Sequence, residues 1–322
     1  MSSDAAAPAG GGSLEQARLG QVRAGSGRAA LAWATESLAA VPTPDADARV
    51  LVAFCAGLSQ SELAKALIMG APVWDAGGAD RFIELVGKRA TRIPLQYLTG
   101  LAPFRYLELE VGPGVFVPRP ETEVVAQVAI DFLQGLGRPT LVADLCTGSG
   151  AIALAVLTEV PDACVHAVEL SADAFSFTER NVAAHPAPDG RRVTLVKGDA
   201  RRALGELNGT LDAVISNPPY VPADAVPKDE EVARHDPAIA LYGLGNDGLE
   251  VPRGVTNAAA RLLAPGGLYV MEHAEVQAAP ARDMVAATGY FDTPATEEDL
   301  TGRDRMVRAV RNYVPYVEGL PL

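Results

Sequence analysis

Hydrophobic positions in the first third of the chain recur at the spacing of helices, which predicts a small helical domain over residues 27–100. Such apolar stripes cover residues 29–38, 49–54 and 81–86. The run Ser59-Gln60-Ser61-Glu62 has the spacing of a capping box, so a further helix should begin there. Residues 1–26 are rich in Ala, Gly and Ser, a composition that buries little apolar surface. We therefore expect a disordered tail before the helical domain.

An alternating segment follows the helical stripes. Polar and apolar residues alternate in Tyr106-Leu107-Glu108-Leu109-Glu110-Val111, and Gly112-Pro113-Gly114 favours a turn. The apolar run Val115-Phe116-Val117 then supplies a candidate second strand. This order predicts a β-hairpin, and we expect residues 101–120 to form a hairpin linker.

From about residue 140 the pattern changes to short apolar runs separated by helical segments, which is typical of βαβ units and a parallel sheet. Predicted strands cover residues 141–145, 164–168, 193–196, 213–216 and 268–271, with a final pair near Tyr290 and at 306–310. Predicted helices cover residues 121–136, 151–158, 173–184, 248–263 and 276–288. We therefore predict an α/β domain with a Rossmann-like sheet over residues 121–322. Residues 221–247 are polar and contain prolines, so we expect a long loop there.

The run Asn217-Pro218-Pro219-Tyr220 directly follows one of the predicted strands. Proline cannot donate a hydrogen bond to a sheet, so the strand must end at Asn217, on the edge where open α/β sheets bind ligands. The Asn217 side chain has an acceptor oxygen, Pro218 has a carbonyl with free lone pairs, and Tyr220 offers a flat ring for stacking. Together these groups can hold a planar NH2 group and direct its nitrogen toward a methyl donor.

A glycine-containing turn, Asp144-Leu145-Cys146-Thr147-Gly148-Ser149-Gly150, stands between the first strand of the sheet and its helix. Gly148 and Gly150 allow the backbone to turn tightly and to approach a ligand closely. Glu169 follows the next strand, where its carboxylate can accept hydrogen bonds from both hydroxyls of a ribose. The pattern indicates a nucleoside-cofactor site, and it occurs in nicotinamide enzymes as well.

The carboxylate of Asp144 favours a cofactor with a positive centre over a dinucleotide, because it would repel a pyrophosphate at the start of the helix. S-adenosylmethionine has a positive sulfur, an amino group and a ribose. Asp199, after the third strand, stands where an adenine amino group can be held, and it is equally well explained as a cap of the turn that contains Arg201. We predict S-adenosylmethionine as the cofactor.

Composition and charge narrow the possible substrates. The chain has 322 residues, 48% of them hydrophobic, and a formal net charge of −13, which disfavours steering toward nucleic acid. Its three cysteines are widely spaced and its four histidines scattered, so we expect neither a disulfide framework nor a metal site. We find no apolar run long enough for a membrane span and no signal peptide, and expect a cytoplasmic protein of unknown oligomeric state.

Four functions remain open on the residues alone. An N-methyltransferase acting on a side-chain amide and one acting on the exocyclic amine of a nucleobase both fit Asn217-Pro218-Pro219-Tyr220, and the net charge favours the amide. A nicotinamide oxidoreductase fits the glycine turn but neither Asp144 nor the proline corner. A non-catalytic cofactor-binding module would leave that corner unexplained.

The chain resembles the release factor glutamine methyltransferases of the HemK/PrmC type, which are class I S-adenosylmethionine-dependent enzymes. The glycine turn, Glu169, Asn217-Pro218-Pro219-Tyr220 and Leu263-Ala264-Pro265-Gly266-Gly267 occur in the order of class I N-methyltransferases. Three further stretches are similar to parts of this family: Arg92-Ile93-Pro94-Leu95-Gln96-Tyr97-Leu98-Thr99-Gly100, Val115-Phe116-Val117-Pro118-Arg119-Pro120-Glu121-Thr122-Glu123 and Arg234-His235-Asp236-Pro237. The resemblance covers residues from about 30 to 312.

The resemblance implies N5-methylation of the glutamine in the Gly-Gly-Gln tripeptide of peptide chain release factors, with residues 27–100 recognising the substrate. Cys146, Thr147, Gly148, Ser149 and Gly150 would face the methionine part of the cofactor. By the same resemblance, Glu169 would bind the ribose, Asp199 and Ala200 the adenine, and Asn217 to Tyr220 the substrate amide, with Phe116 closing over it.

Overall fold

The computed structural model describes residues 11–187 and 189–317, and the chain folds into two compact units, Met1–Thr99 and Gly100–Leu322. The regular elements in the described part of the first unit are all helices. Its helices are α1 (Gly11–Arg23), α2 (Gly27–Ser37), α3 (Pro44–Ala56), α4 (Gln60–Met69), α5 (Ala76–Ala90) and α6 (Leu95–Thr99).

Local sequence explains the main helices of this unit. Ser59 and Glu62 form the predicted capping box at the start of α4, and Pro44 occupies the first turn of α3, where its missing N–H is not needed. The apolar stripes meet in one core that includes the fully buried Leu51 and Phe82. The predicted helices are therefore confirmed, and the stripes form a core as expected.

The prediction of a disordered tail is wrong for residues 11–23, which form α1; residues 1–10 lie outside the described residues. Val22 of this helix is fully buried, and the Trp74 indole Nε1 donates to the Val22 carbonyl at 2.9 Å. The segment orders because residues distant in sequence supply this packing, which composition does not reveal. Among the described residues, no single helix is long and apolar enough to span a membrane, although α3 and α4, bent by 92°, pass that test as a pair.

The second unit begins with a two-stranded hairpin, β1 (Leu101–Phe104) and β2 (Leu107–Glu110). The predicted hairpin is thus displaced along the sequence, because the chain reverses at Arg105 and not at the glycines that follow β2. Arg105 has φ +52°, and its guanidinium donates to the Glu159 carboxylate at 2.5 and 2.6 Å, which holds the turn. Residues 115–117 form no strand.

The hairpin is part of the second unit and does not form a separate linker. Phe104 and Leu109 are fully buried in the same core as Ile130 and Leu154 of the following helices. The boundary between the units therefore falls at residue 99, close to the predicted end of the helical domain.

A seven-stranded sheet in the order β5-β4-β3-β6-β7-β9-β8 forms the centre of this unit. Its strands are β3 (Thr140–Leu145), β4 (Ala163–Glu169), β5 (Thr194–Lys197), β6 (Leu211–Ser216), β7 (Leu263–Glu272), β8 (Ala295–Glu298) and β9 (Asp304–Val310). Strands β3 to β7 are parallel, and β9 is antiparallel to both of its neighbours. The predicted α/β class is confirmed, with the correction that the strand expected near Tyr290 lies at β8.

Helices cover both faces of the sheet, as crossover connections require. They are α7 (Pro120–Gly135), α8 (Ala151–Glu159), α9 (Ala172–Ala184), α12 (Glu250–Leu262) and α13 (Ala278–Ala287). Side chains of α7 to α9 pack in one core, and those of α12 and α13 in the other. The predicted loop at 221–247 contains two short helices, α10 (Glu230–His235) and α11 (Ala238–Leu241).

Sheet register brings the functional segments together. Leu145 at the end of β3 is paired with Ser216 at the end of β6, and Ser216 is paired with Met271, one residue before the end of β7. The glycine turn, Asn217 and Glu272 therefore leave the sheet side by side at its carboxyl edge.

Candidate active site

A cavity of about 990 Å³ opens at the carboxyl edge of the sheet, and its walls come entirely from the second unit. The predicted site residues that line it are Phe116, Cys146, Thr147, Gly148, Ser149, Glu169, Asp199, Ala200, Asn217, Pro219 and Tyr220. Asp144, Gly150 and Pro218 are not in its wall. The structure thus brings most of the predicted residues to one place.

The glycine turn forms one wall through an unusual backbone. Cys146, Gly148 and Gly150 all have positive φ, at +66°, +60° and +86°. A Cβ at Gly148 would have no neighbouring atom within 4 Å, so this backbone is open to a ligand. A Cβ at Gly150 would lie 2.9 Å from Thr178 Cγ2, which shows that this glycine serves packing.

Glu169 ends β4 with its carboxyl held by backbone amides. Gly148 N–H donates to Oε2 at 2.9 Å and Ser171 N–H to Oε1 at 2.7 Å. Burial raises the pKa of Glu169, and these two hydrogen bonds oppose the rise. Each oxygen retains a lone pair, so the fixed carboxylate suits a pair of ribose hydroxyls.

The carboxyl of Asp144 lies behind the glycine turn and not in the cavity wall. It accepts from the Thr147 hydroxyl at 2.5 Å and from Ala153 N–H at 3.0 Å, and its residue is 1% exposed. Burial is the largest influence on this group and raises its pKa to about 7. Asp144 therefore ties the turn to the first turn of α8, in contrast to the predicted contact with the positive part of the cofactor.

Asp199 and Cys146 occupy the side of the cavity expected to take the adenine and the methionine part. Asp199 lines the cavity with its carboxylate paired to Arg201 at 2.7 Å, and this hydrogen-bonded guanidinium lowers the pKa of Asp199. The structure thus shows the capping arrangement, while one edge of Asp199 still faces the cavity beside the buried Ala200. Burial raises the pKa of the Cys146 thiol, which argues against a nucleophilic role.

A hydrogen-bonded chain joins Asn217 to two residues that sequence analysis did not assign to the site. Asn217 Nδ2 donates to Thr122 Oγ1 at 3.2 Å, and Thr122 Oγ1 donates to Glu272 Oε2 at 2.7 Å. The Tyr220 hydroxyl donates to the other oxygen of Glu272 at 3.1 Å. Thr122 lies in the first turn of α7 and Glu272 ends β7, so only strand order and helix placement reveal their proximity. The sequence offered one signal for Glu272: it is an acidic residue at the end of a predicted buried strand, on the edge of the sheet where ligands bind.

The loop after Asn217 is held at several points. Tyr220 N–H and Val221 N–H both donate to the Leu241 carbonyl, at 3.1 and 2.8 Å. Gln277 Nε2 donates to the Tyr220 carbonyl at 2.8 Å. Within the described residues, no hydrogen bond reaches the carbonyl of the buried Pro218. The loop therefore has a defined path, and the Pro218 carbonyl lies behind the cavity wall without a described protein donor.

The segment before α7 also contributes to the cavity wall. Arg119 Nη2 lies 2.7 Å from Asp236 Oδ2, and the Arg119 guanidinium stands 5.2 Å from the centre of the Phe116 ring. The Asp236 side chain is only 1% exposed. This ion pair, which we call the Arg119–Asp236 clasp, connects the segment before α7 to the α10–α11 segment above the cavity.

The walls fit S-adenosylmethionine on their own geometry. The open backbone at Gly148, the fixed Glu169 carboxylate and the mixed apolar and polar lining are features that suit a nucleoside with a charged tail. In the same cavity wall, Asn217 and Tyr220 are suited to a planar NH2 group. In the part of the chain that the structure describes, no group of three or more His, Cys, Asp or Glu side chains is placed to hold a metal ion.

Two family models match the chain: the PrmC N-terminal domain over residues 29–100 and the methyltransferase small domain over residues 108–233. A release factor glutamine methyltransferase of Bifidobacterium longum (strain NCC 2705) is 44% identical over 279 residues, which are 84% of this chain and 94% of that protein. One from Streptomyces coelicolor is 46% identical over 286 residues, which are 87% of this chain and 96% of that protein.

A relative with a different name shares nearly as much of the sequence. A 4-amino-L-phenylalanine/4-methylamino-L-phenylalanine methyltransferase of Streptomyces pristinaespiralis is 38% identical over 272 residues, 83% of this chain and 88% of that protein. These relatives match the chain over both of its units. The chain belongs to the release factor glutamine methyltransferase family.

Proposed function

We propose that this protein transfers a methyl group from S-adenosylmethionine to the side-chain amide N5 of the glutamine in the Gly-Gly-Gln tripeptide of peptide chain release factors. The observation that carries the proposal is the orientation of Asn217. Its Nδ2 donates a hydrogen bond to the Thr122 hydroxyl, so its Oδ1 is left as an acceptor at the cavity. An acceptor at that point selects a ligand that presents N–H groups.

Asn217 and Pro218 would bind the two hydrogens of the substrate amide through their oxygens, and Tyr220 would pack against its plane. This arrangement turns the nitrogen lone pair toward the cofactor side of the cavity, lined by the glycine turn. S-adenosylmethionine supplies an electrophilic methyl group when bound. The N–C bond forms as the S–C bond breaks, the sulfur becomes neutral, and one proton leaves the nitrogen to solvent.

Electrostatics and positioning carry the chemistry, because a primary amide is a poor nucleophile. Positive charge grows on nitrogen in the transition state, and the acceptor oxygens of Asn217 and Pro218 stabilise it more strongly than they bind the neutral substrate. The cavity wall also contains Glu169 and Glu272, so its field favours cationic groups. The Cys146 thiol takes no part, since its raised pKa keeps it protonated.

Release factors are the protein partners of this reaction. Because release factors act in translation, their methylation would occur in the cytoplasm. The net charge of −13 argues against stable binding to nucleic acid, and so against the alternative of a nucleobase amine as the substrate.

A second candidate is an aromatic amine of small size. The relative from Streptomyces pristinaespiralis is named for 4-amino-L-phenylalanine, and a site that holds one flat NH2 group also accommodates an aniline nitrogen. A small amine does not need residues 27–100 for protein recognition. We therefore place this candidate second.

The proposed reaction is tested with labelled S-adenosylmethionine and three acceptors: a purified release factor, RNA, and 4-amino-L-phenylalanine. We expect label only in the release factor, and none when the glutamine of its Gly-Gly-Gln tripeptide is replaced by alanine. Label that survives that replacement, or that enters RNA or the amino acid instead, would contradict the proposal.

Replacing Asn217 by alanine tests the acceptor role directly. We expect kcat to fall by about 10²–10³-fold, as for other donors or acceptors aimed at a transition-state charge, while the affinity for S-adenosylmethionine changes little. Cofactor affinity is measured by calorimetry on the same preparation. Normal turnover by Asn217→Ala would show that its oxygen has no such role.

A further inference from the structure

We propose that Glu272 and Thr122 are positioning residues that set which atom of the Asn217 side chain faces the substrate, and so make the site selective for N–H donors over acceptors. The inference rests on the proposed function, which needs the Asn217 oxygen at the cavity. It adds a cause for that orientation, because the amide of Asn217 has almost the same shape when its oxygen and nitrogen are exchanged.

The orientation follows from the direction of each hydrogen bond in the chain. A carboxylate can only accept, so the hydroxyls of Tyr220 and Thr122, at 3.1 and 2.7 Å, must both donate to Glu272. Thr122 has one hydroxyl hydrogen and has thereby used it. It can then only accept from Asn217, at 3.2 Å, and the Asn217 nitrogen must point to it.

Burial fixes the directions of these hydrogen bonds, because an unpaired polar group is costly where water is absent. Thr122 is 4% exposed and Glu272 is 3% exposed. If Asn217 turned by 180°, two acceptors would face each other at Thr122. The Asn217 oxygen is therefore committed to the cavity for as long as Glu272 remains an acceptor.

Burial and the hydrogen-bond donors around Glu272 act on its pKa in opposite directions. Burial raises the pKa of Glu272, and the hydroxyls of Thr122 and Tyr220 and the positive Arg305 on β9 oppose the rise. Glu121 at the start of α7 adds to the rise. Burial also raises the pKa of Tyr220, so its hydroxyl keeps its proton and continues to donate.

Glu272→Gln tests this chain of hydrogen bonds from Tyr220 through Glu272 and Thr122 to Asn217, which we call the relay. Glutamine has the same shape, with one accepting oxygen and one donating NH2 group. The positive Arg305, which interacts with both Tyr220 and Glu272, favours the oxygen on the Tyr220 side and so the NH2 group toward Thr122. A glutamine NH2 facing Thr122 would reverse the threonine hydroxyl, which could then donate to the Asn217 oxygen and leave the Asn217 NH2 at the cavity. Such a site would repel the substrate NH2 group and accept a carboxylate. A merely structural role of Glu272 would not exchange one ligand preference for the other.

The primary measurement is binding, in the presence of S-adenosylhomocysteine, of release-factor domains that carry Gly-Gly-Gln or Gly-Gly-Glu. The wild type should prefer the glutamine form, and Glu272→Gln should shift the ratio of the two dissociation constants toward the glutamate form by about tenfold, equivalent to one buried hydrogen-bond preference of ~1.4 kcal/mol. Glu297→Gln is the matched control, because Glu297 pairs with Arg308 on β8 and β9 outside the cavity wall.

Thr122 supplies the second arm of the experiment. Thr122→Val keeps the shape and removes the hydroxyl, so we expect the preference for glutamine and the value of kcat both to fall. Thr122→Ser keeps the hydroxyl and should restore both. An unchanged ligand ratio in Glu272→Gln, or equal behaviour of Thr122→Val and Thr122→Ser, would overturn the relay.

The design separates failure of the relay from failure of the proposed function. If the wild type methylates an aromatic amine or a nucleobase instead, the proposed function is wrong, and the same variants are compared with that amine and its hydroxyl or carbonyl analogue. The relay makes the same demand there: Glu272→Gln must shift preference from the N–H donor to the acceptor, and an unshifted preference would overturn it.

Discussion

Two acidic residues close to the glycine turn have different roles, and the groups around each side chain determine its role. Glu169 has two backbone donors and lines the cavity, whereas Asp144 faces inward toward Thr147 and Ala153. One oxygen of Asp144 has no hydrogen-bond partner in the described structure. We expect Glu169 to matter for cofactor binding and Asp144 to matter for the stability of the turn.

Asp144→Asn should keep most cofactor affinity and should change how stability depends on pH. The folded pKa of Asp144, about 7, lies above the ordinary aspartate value of 3.8, so the folded state holds the proton more tightly. This group therefore favours the folded state at low pH. Between those two values the wild type should lose about 1.4 kcal/mol of unfolding free energy per pH unit from it.

The measurement is urea unfolding of wild type and Asp144→Asn at pH 5, 6, 7 and 8. The variant lacks the ionisation, so its unfolding free energy relative to the wild type should rise from pH 5 to pH 7 and then level off. Glu169→Gln serves as the comparison for cofactor binding, which we expect it to weaken. A constant difference between Asp144→Asn and wild type over the whole range would contradict the assignment.

The short elements above the cavity are joined to the rest of the unit by an ion pair and by backbone hydrogen bonds. Helices α10 and α11 have six and four residues, too short to be stable by themselves. The Arg119–Asp236 clasp ties this segment to the start of α7, and Leu241 receives the two backbone N–H groups of Tyr220 and Val221. We therefore expect the clasp to govern local opening above the site.

Arg119→Gln should make residues 222–241 exchange their amide hydrogens faster. Asp236 is buried, so loss of its charged partner should lower the free energy of local opening by roughly 1–3 kcal/mol, less than for a fully buried pair because Arg119 is 28% exposed. Hydrogen–deuterium exchange with mass spectrometry measures this directly. Arg234→Gln is the control, because its pair with Glu230 is exposed at 58% and 46% and should contribute little.

Equal exchange in Arg119→Gln and Arg234→Gln would show that the clasp does not hold the segment. Faster exchange confined to Arg119→Gln, with a raised KM for the release factor, would connect the clasp to substrate binding. The Phe116 ring beside Arg119 would lose its cation partner in the same variant.

At the level of the whole molecule, the chain has two compact units. Every residue that lines the cavity belongs to Gly100–Leu322, including Phe116, which lies beyond the hairpin. The first unit has its own core around Phe82 and its own buried ion pair, Arg89 with Asp47 at 2.6 Å. We propose that the first unit contributes recognition of the protein substrate and the second contributes the chemistry.

A fragment of residues 100–322 should bind S-adenosylmethionine with an affinity similar to that of the whole chain. Its kcat/KM for an intact release factor should fall by at least about tenfold, which corresponds to losing ~1.4 kcal/mol of interaction with the substrate. Calorimetry and the labelled-methyl assay give the two values, and circular dichroism verifies that the fragment is folded. A folded fragment with full activity on the release factor would assign no recognition to the first unit.

Periodicity predicted most elements correctly because their hydrophobic faces are local properties. Helices α2 to α5 and strands β3 to β7 follow directly from such patterns. The hairpin is displaced because its turn is held by Glu159, distant in sequence, and not by the glycines after β2. Helix α1 is missed for the same kind of reason, since the partner of Val22 is Trp74.

The order of residues along the chain was enough to specify the cofactor, the family and the strand-end asparagine, because those depend on short motifs at the ends of apolar runs. Tertiary structure decided which neighbours these motifs have. Strand order and the start of α7 place Glu272 and Thr122 against Asn217, and packing turns Asp144 away from the cavity. The direction of a hydrogen bond depends on which atoms are neighbours in space, so it is determined only in the folded chain.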